Sequence, residues 1–454
     1  MDNTTRMGQD SILKLIMQFS LPSIISMLVN AIYNIVDRFF VGNYVPENEF
    51  ALGGLTVVFP LMMVLFAVGA LFGIGGSTLI SIKFGEQNKI EPDKIYGNML
   101  SMIVIGSLLM IGIISSNLHS LLMLVGATED NIPYAMQYMQ IIMVGIIPQL
   151  LSFGLAAIAR VEGRPRLAMV SQLAAALTNI VLDAVFIVGF EWGVPGAAWA
   201  TVIGQVIGLL VLCNYFFIRK KSIVKLQRKN LILSWSIVKR ICFIGLASFF
   251  LNIGNSLSSA FTNVALRKYG ADAAITSMGA ISSLFTLFLM PILGVQQGII
   301  PIMGYNHGMK NHDRTWKTLC IAVGLSMAFA TLFTLIIELS PDPFVALFIS
   351  SESESFLMCV HGLRIQFALL PLMPICILGI SYFQATARGG IALFLSCCRQ
   401  VMVLPTVFLL PQLLGLDGVW LTSPLTDFIA VLIVFFTAFY TRRQQQLKPL
   451  QTLV

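Results

Sequence analysis

Three carboxylates stand inside apolar stretches of this chain, Asp37, Asp183 and Asp427, with Glu338 at the outer end of another. An ionised Asp at the centre of a bilayer-spanning helix costs about 2.5–3.5 kcal/mol on insertion scales, so each needs a use. Asn30, Asn34 and Asp37 fall at i, i+4 and i+7, one stripe of a helix, and Gln172, Asn179 and Asp183 form a second stripe. Thr201 and Gln205 are an i, i+4 pair on the next apolar run. At 1.5 Å per residue, Asp37 lies roughly 7 Å below the outer end of its helix and Asp183 roughly 10 Å, with Thr201 at a similar depth. A polar stripe in hydrocarbon must face protein or water, so these faces are expected to converge inside the first half of the chain. For the amides alone, plain interhelical hydrogen bonding is an equal explanation. Two carboxylates in one low-dielectric pocket repel each other. They can share a proton and titrate as a pair, or hold a cation such as Na+ in an oxygen cage completed by Asn179 and Thr201.

The elements that must position these groups follow from composition. Of 454 residues, 57% are hydrophobic and 11% charged, and mean hydropathy is +0.86. A soluble domain carries about 25% charged residues, which excludes an ordinary globular enzyme. Twelve apolar runs are read as membrane spans, at 14–41, 51–82, 95–117, 134–159, 167–190, 196–218, 237–266, 274–305, 315–338, 357–384, 391–411 and 418–440. The net charge of +7 argues for topology and not for nucleic acid, because Lys and Arg gather in alternate short loops. "KFGEQNKIEPDK", "RVEGRPR", "RKKSIVKLQRKN", "NHGMKNHDRTWK", "ATARGG" and "TRRQQQLK" are basic, whereas "NYVPENE", "GATEDNIP", "GFEWGVPG", "SPDPFVALFISSESES" and "LLGLDG" are not. Both termini are therefore expected in the cytoplasm of a multi-pass protein of the cytoplasmic (inner) membrane, against one dissenting loop, "LRKYGAD". No cleavable signal peptide is expected at the polar start "MDNTTRMGQD". The seven cysteines show no metal-finger spacing, and the four histidines, His119, His307, His312 and His361, are scattered, which argues against a membrane enzyme.

The chain also repeats itself. "GVPGAAWAT" matches "GLDGVWLTS", "LDAVFIVGF" matches "LPTVFLLPQ" at the same spacing, and "SMGAISSLF" matches "ALGGLTVVF". Six spans per repeat is an even number, so both repeats enter the membrane in the same sense. The expected fold is all-α, twelve transmembrane helices in two parallel-repeat six-helix lobes around a central cavity. The lobes are residues 1–218 and 237–441, joined by a basic linker at 219–236 that is expected either on the membrane surface or in water, with a tail at 442–454. The matches set Pro405 opposite Asp183 and, more loosely, Asn263 opposite Asp37, so the ionisable site is one-sided. Asn252, Ser256, Ser259 and Asn263, one stripe of the seventh span, are the candidate cavity face of the second lobe. Asp427 either lines that cavity or bonds locally to Ser423 or Thr426 as a packing or hinge residue.

On "LPSIISMLVNAIYNIVDRFFVG", "ARVEGRPRLAM", "TNIVLDAVFIVG" and "VPGAAWATVIGQ", taken in that order, the chain resembles the multidrug and toxic compound extrusion (MATE) family, in its DinF-like and MepA-like branch. The resemblance covers almost the whole length. It implies a secondary antiporter, not an enzyme, exporting amphipathic and chiefly cationic small molecules in exchange for H+ or Na+. It further implies coupling at Asp37 and Asp183 with Asn179 and Thr201. No cofactor beyond the coupling ion is implied, and the partners are substrate, cation and lipid, the chain acting as a monomer without nucleic acid. Two departures stand out. The seventh and tenth spans lack the acids of the other large branch, and "LAAIAR" lacks the Asn that relatives often carry before the Arg-x-x-Gly turn. A dedicated exporter of a natural-product precursor, or a lipid-linked flippase of the same superfamily, is the alternative. A flippase is expected to offer several intramembrane Arg residues, and well inside the spans here there are Arg364 and Arg399.

Overall fold

Without water to satisfy backbone N–H and C=O groups, apolar runs of this length close their hydrogen bonds within helices. In the computed structural model, which describes residues 4–45, 48–350 and 352–451, twelve helices are long and apolar enough to cross a membrane. They are α1 (Ile12–Tyr44), α2 (Phe50–Gly85), α3 (Glu91–Ser116), α4 (Ile132–Val161), α5 (Pro165–Gly189), α6 (Gly193–Ile218), α7 (Trp235–Gly270), α8 (Ala273–Gly308), α9 (His312–Leu339), α10 (Ser355–Ala385), α11 (Gly389–Leu414) and α12 (Leu416–Gln446). No strand occurs among the described residues. Most helices run a few residues past the expected spans, and the tail at 442–451 continues α12 as one helix to Gln451, with Arg442 paired to Asp313. Residues 452–454 of the expected tail lie outside the described residues. The protein is a multi-pass membrane protein.

The loop expected between the seventh and eighth spans is itself helical, so α7 and α8 form one continuous helical stretch from Trp235 to Gly308. Its two ends nevertheless meet the same end of α2: Ile241 lies against Gly75, and Tyr305 and Gly308 against Gly85. The chain therefore reverses near Gly270 and doubles back.

Contacts between the two halves gather at the end of the bundle that carries the basic loops. Ser20 and Ile24 of α1 meet Gly298 and Gly294 of α8, and Leu71 and Gly75 of α2 meet Gly245 and Ile241 of α7. Gly85 and Gly308 also pack tightly: a Cβ on Gly85 would sit 2.0 Å from the Tyr305 carbonyl oxygen, so only glycine fits. Met7, Leu15, Phe19, Ile302 and Tyr305 complete the seal as a small apolar cluster. From there the outer parts of α1 and α7 diverge, with Ile35 and Arg38 on the inner face of α1 and Ser259 and Asn263 on that of α7 exposed. The molecule is a wedge, shut at the basic end.

These paired contacts exchange when the halves are swapped, and that fixes the internal register. Ser20 and Ile24 take the roles of Ile241 and Gly245, while Leu71 and Gly75 take those of Gly294 and Gly298. Asp37 then falls opposite Ser258, not Asn263. The looser sequence match was displaced because biased apolar composition lets short strings align several residues out of step.

The 219–236 linker is strapped over the basic end of the first half, with Ile223, Leu226, Leu231 and Trp235 left exposed. Glu162, 1% exposed, accepts from Ser222 Oγ at 2.6 Å, from the Ile223 and Val224 amides at 2.8 and 3.0 Å, and from Tyr215 Oη at 2.9 Å. Asn98 donates to the Asn230 and Ile232 carbonyls and accepts from the Ser234 amide at 2.7 Å. Buried polar groups demand such partners, and the linker backbone supplies them.

Candidate functional site

Helices α5 and α6 approach closely because a small residue faces backbone at each contact. A Cβ on Gly204 would lie 2.7 Å from the Ala175 carbonyl oxygen, and Ser171 Oγ donates to the Gly208 carbonyl at 2.8 Å. That approach lets Asn179 Nδ2 donate to Thr201 Oγ1 at 3.3 Å. One turn beyond Asn179, Asp183 is 0% exposed, and immediately after it α5 widens into a π-helical turn at Ala184–Gly189. Such turns shift a helix's register locally and recur at functional sites. Asp37 of α1 is 6% exposed and lies within electrostatic reach of Asp183.

Asn30 and Tyr33 of α1, Gln149 and Ser152 of α4, Gln172 and Asn179 of α5, and Thr201 and Gln205 of α6 line one cavity of about 90 Å³ within the first half. Neither aspartate lines it: Asp37 stands one turn beyond Tyr33 on α1 and Asp183 one turn beyond Asn179 on α5. Around this space the buried oxygens Asp37 Oδ1, Asp183 Oδ1 and Oδ2, Asn179 Oδ1 and Gln205 Oε1 have no hydrogen-bond partner in the protein. Buried acceptors are normally satisfied, and an unpaired one costs about 1–3 kcal/mol, more if charged. A cluster of acceptors lacking donors suits a proton or a hard cation bound by oxygen. Among the described residues no three His, Cys, Asp or Glu side chains gather to hold a metal ion. A larger recess of about 690 Å³, between α3 and α4 near His119, contains no carboxylate.

Asn34 is exposed, turned back onto Asn30, to whose carbonyl and side chain it donates at 2.6 and 3.1 Å. It stands apart from the cavity that Asn30 lines. Two residues escaped the sequence reading. Tyr138 of α4, 6% exposed, interacts with Thr201 and lies within reach of both aspartates, and Tyr33 lies beside Asp37. A tyrosine in an apolar run reads as a core aromatic, so no sequence signal marked either one. Where "LAAIAR" lacks an amide, α4 offers Ser152 and Gln149 one and two turns earlier.

In the second half, Asn252 and Ser256 are half-buried while Ser259 and Asn263 are exposed. All four continue the face of α7 that carries Ile241 and Gly245 against α2, so they look across the wedge. Asp427 does not bond to Ser423 or Thr426. The Thr426 hydroxyl donates to the Thr422 and Ser423 carbonyls, and Asp427 pairs with Arg399 of α11. A full charge offers Asp427 far more than a hydroxyl does. Arg364 lies 3.9 Å from Glu338.

The MatE family model matches this chain twice, over residues 22–185 and 247–409. The chain belongs to the MatE family. Its two matches fall one in each half, in keeping with the swapped contacts above. Among curated relatives, the multidrug export protein MepA of Staphylococcus haemolyticus is 28% identical over 434 residues, covering 94% of each chain. MepA of Staphylococcus aureus strain MRSA252 is also 28% identical, over 93% of this chain and 94% of that protein. A solved multidrug resistance MATE transporter in an outward-facing conformation superposes with a TM-score of 0.90 at 24% identity, over 97% of this chain and 98% of that one. This MatE protein is thus a membrane transporter of the multidrug efflux kind, not an enzyme. Its all-α architecture of twelve helices is that of MATE transporters.

Proposed function

We propose that this protein is a cation-coupled antiporter that exports amphipathic, chiefly cationic small molecules by alternating access. In this reading the basic end faces the cytoplasm, both termini lie there, and the membrane is the cytoplasmic one. Asp37 and Asp183 carry the coupling ion, H+ or Na+, with Asn179 and Thr201 as oxygen ligands. Asn30, Gln172 and Gln205 shape the wet pocket beside them. Asn252, Ser256, Ser259 and Asn263 offer the substrate a polar face across the wedge.

One observation carries the reading. Asp183 is fully buried with both carboxylate oxygens lacking a donor, next to a second acid and an unpaired amide oxygen. Such an arrangement is stable when an ion or proton arrives to complete it, and its filling alters how α1, α5 and α6 pack. Emptying the wedge outward and refilling the pocket from the same side would then link export to ion entry.

The test is dye efflux from vesicles holding the purified protein, with the proton and sodium gradients dissipated one at a time. Loss of efflux with one of them identifies the ion, and efflux that survives removal of both overturns the coupling. A lipid-linked flippase is the less favoured reading on a specific ground. Arg399 is paired with Asp427 and so is not free to receive phosphate.

A further inference from the structure

The swapped register carries a consequence for the second half. The space between α1, α5 and α6 holds the pocket with Gln205 on α6. Its counterpart lies between α7, α11 and α12, and the aligned glycine strings set Asp427 at the place of Gln205 and Pro405 at that of Asp183. Ser258 stands where Asp37 stands. The second half thus keeps one acid, moved from the α1 and α5 positions to the α6 position.

That acid is not left with unpaired oxygens. Arg399 of α11 reaches it and also donates from Nη1 to Asn255 Oδ1 at 3.1 Å. The Gln400 side chain joins the same cluster, bridging Asn255 and Ser258 of α7. The position on α5 that corresponds to Arg399 is an exposed leucine, Leu177, so the cation is an addition of the second half. Arg399 lies about 15 Å along α11 from Gly389, and Asp427 about 16 Å along α12 from Leu416, which puts the pair deep in the membrane. Their side chains are 16% and 19% exposed, so the cluster is reachable and not sealed. Intramembrane charges of this kind are functional by default.

We propose that Arg399 is a tethered counter-cation. Resting on the coupling role assigned to the first half, its guanidinium occupies in the second half the place that a mobile cation takes in the first. The second half is thereby held in the filled state throughout the cycle. Coupling is confined to one half, and Asp427 is kept from capturing an ion or a cationic substrate.

Removing the tether makes Asp427 a site for a free cation of the same shape. The purified full chain carrying Arg399→Ala is expected to unfold at a lower temperature and to lose most dye efflux in vesicles. Millimolar guanidinium should raise both again saturably, whereas tetramethylammonium at equal ionic strength should not. Arg399→Ala combined with Asp427→Asn should show no guanidinium response. Native stability and efflux of Arg399→Ala without any added cation would overturn the proposal, as would an equal response of the double variant. If Arg399→Ala does not accumulate, Arg399→Lys decides: its ammonium keeps the charge, so near-native efflux supports a counter-cation and complete loss refutes it. The thermal readout concerns the second half alone. A guanidinium-dependent Arg399→Ala alongside fully coupled Asp183→Asn would retain the tethered cation and discard the first-half site.

Discussion

Asn179 donates to Thr201 across the α5–α6 contact at 3.3 Å, while its own carbonyl oxygen, buried, meets no donor. The bond fixes which way the amide points, and it leaves the acceptor end aimed into the space beside Asp183. One side chain thus braces two helices and presents a ligand.

Asp183→Asn and Asp37→Asn should each reduce ion-driven dye efflux to the level of empty vesicles while membrane insertion is unchanged. An amide keeps the shape but neither exchanges a proton nor balances a cation. Asn179→Ala should be milder, weakening apparent affinity for the coupling ion about tenfold, the effect of roughly 1.4 kcal/mol from one lost ligand. Full ion-driven efflux by both aspartate variants would remove the site.

Tyr138→Phe separates shape from chemistry. The ring still fills its buried place on α4, and only the hydroxyl facing Thr201 is lost, a change of about 1 kcal/mol. We expect an unaltered melting temperature within a degree or so and a slowed, not abolished, efflux rate, no more than about tenfold down. Unchanged efflux would make Tyr138 plain packing.

Gly85→Val tests the shut end of the wedge. The added carbons meet the Tyr305 carbonyl and Gly308, which costs about 1–3 kcal/mol or more as overpacking. Because the contact exists only while the halves are closed there, the variant should favour the state open at the basic end. A thiol placed at Ser81, buried against Pro301, should become reactive to a soluble maleimide in Gly85→Val and stay protected otherwise.

Glu162 gives the linker a pH dependence whose sign is opposite to that of a surface carboxylate. Burial pushes its pKa above the ordinary 4.5, although Ser222, the Val224 and Ile223 amides and Tyr215 pull the other way. Arg164 is stacked over the Tyr215 ring at 5.0 Å. With a raised pKa, the protonated form is the better buried one. The stabilisation is complete below pH 4.5 and is lost as pH rises through the elevated value. Trypsin should therefore cut at the exposed Lys220, Lys221 and Lys225 faster as pH rises, after correction for the protease's own pH profile. Glu162→Gln should flatten that trend, and Glu162→Ala should speed cutting at every pH.

Hydropathy made the twelve helices legible, because nothing but helix satisfies a backbone in hydrocarbon, and helical spacing drew Asn30, Gln172, Asn179, Thr201 and Gln205 to one interior. Asn34 shows the limit of that argument: seven residues of stripe span enough arc for one member to turn away. What the sequence concealed was tertiary. Glu162 reads as part of a basic turn until the linker folds over it. Arg399 and Asp427 are 28 residues apart on different helices, and no local pattern announces that they meet. The reversal near Gly270 was legible as the loop between the seventh and eighth spans; what the sequence did not show is that the backbone stays helical through it.

The continuation of α12 past the membrane, held by Arg442 on Asp313, makes that helix a lever. A fluorophore fixed to its far end swings through an arc set by the tilt of the second half, so rocking of a few degrees inside the bilayer becomes a displacement measurable in the aqueous phase.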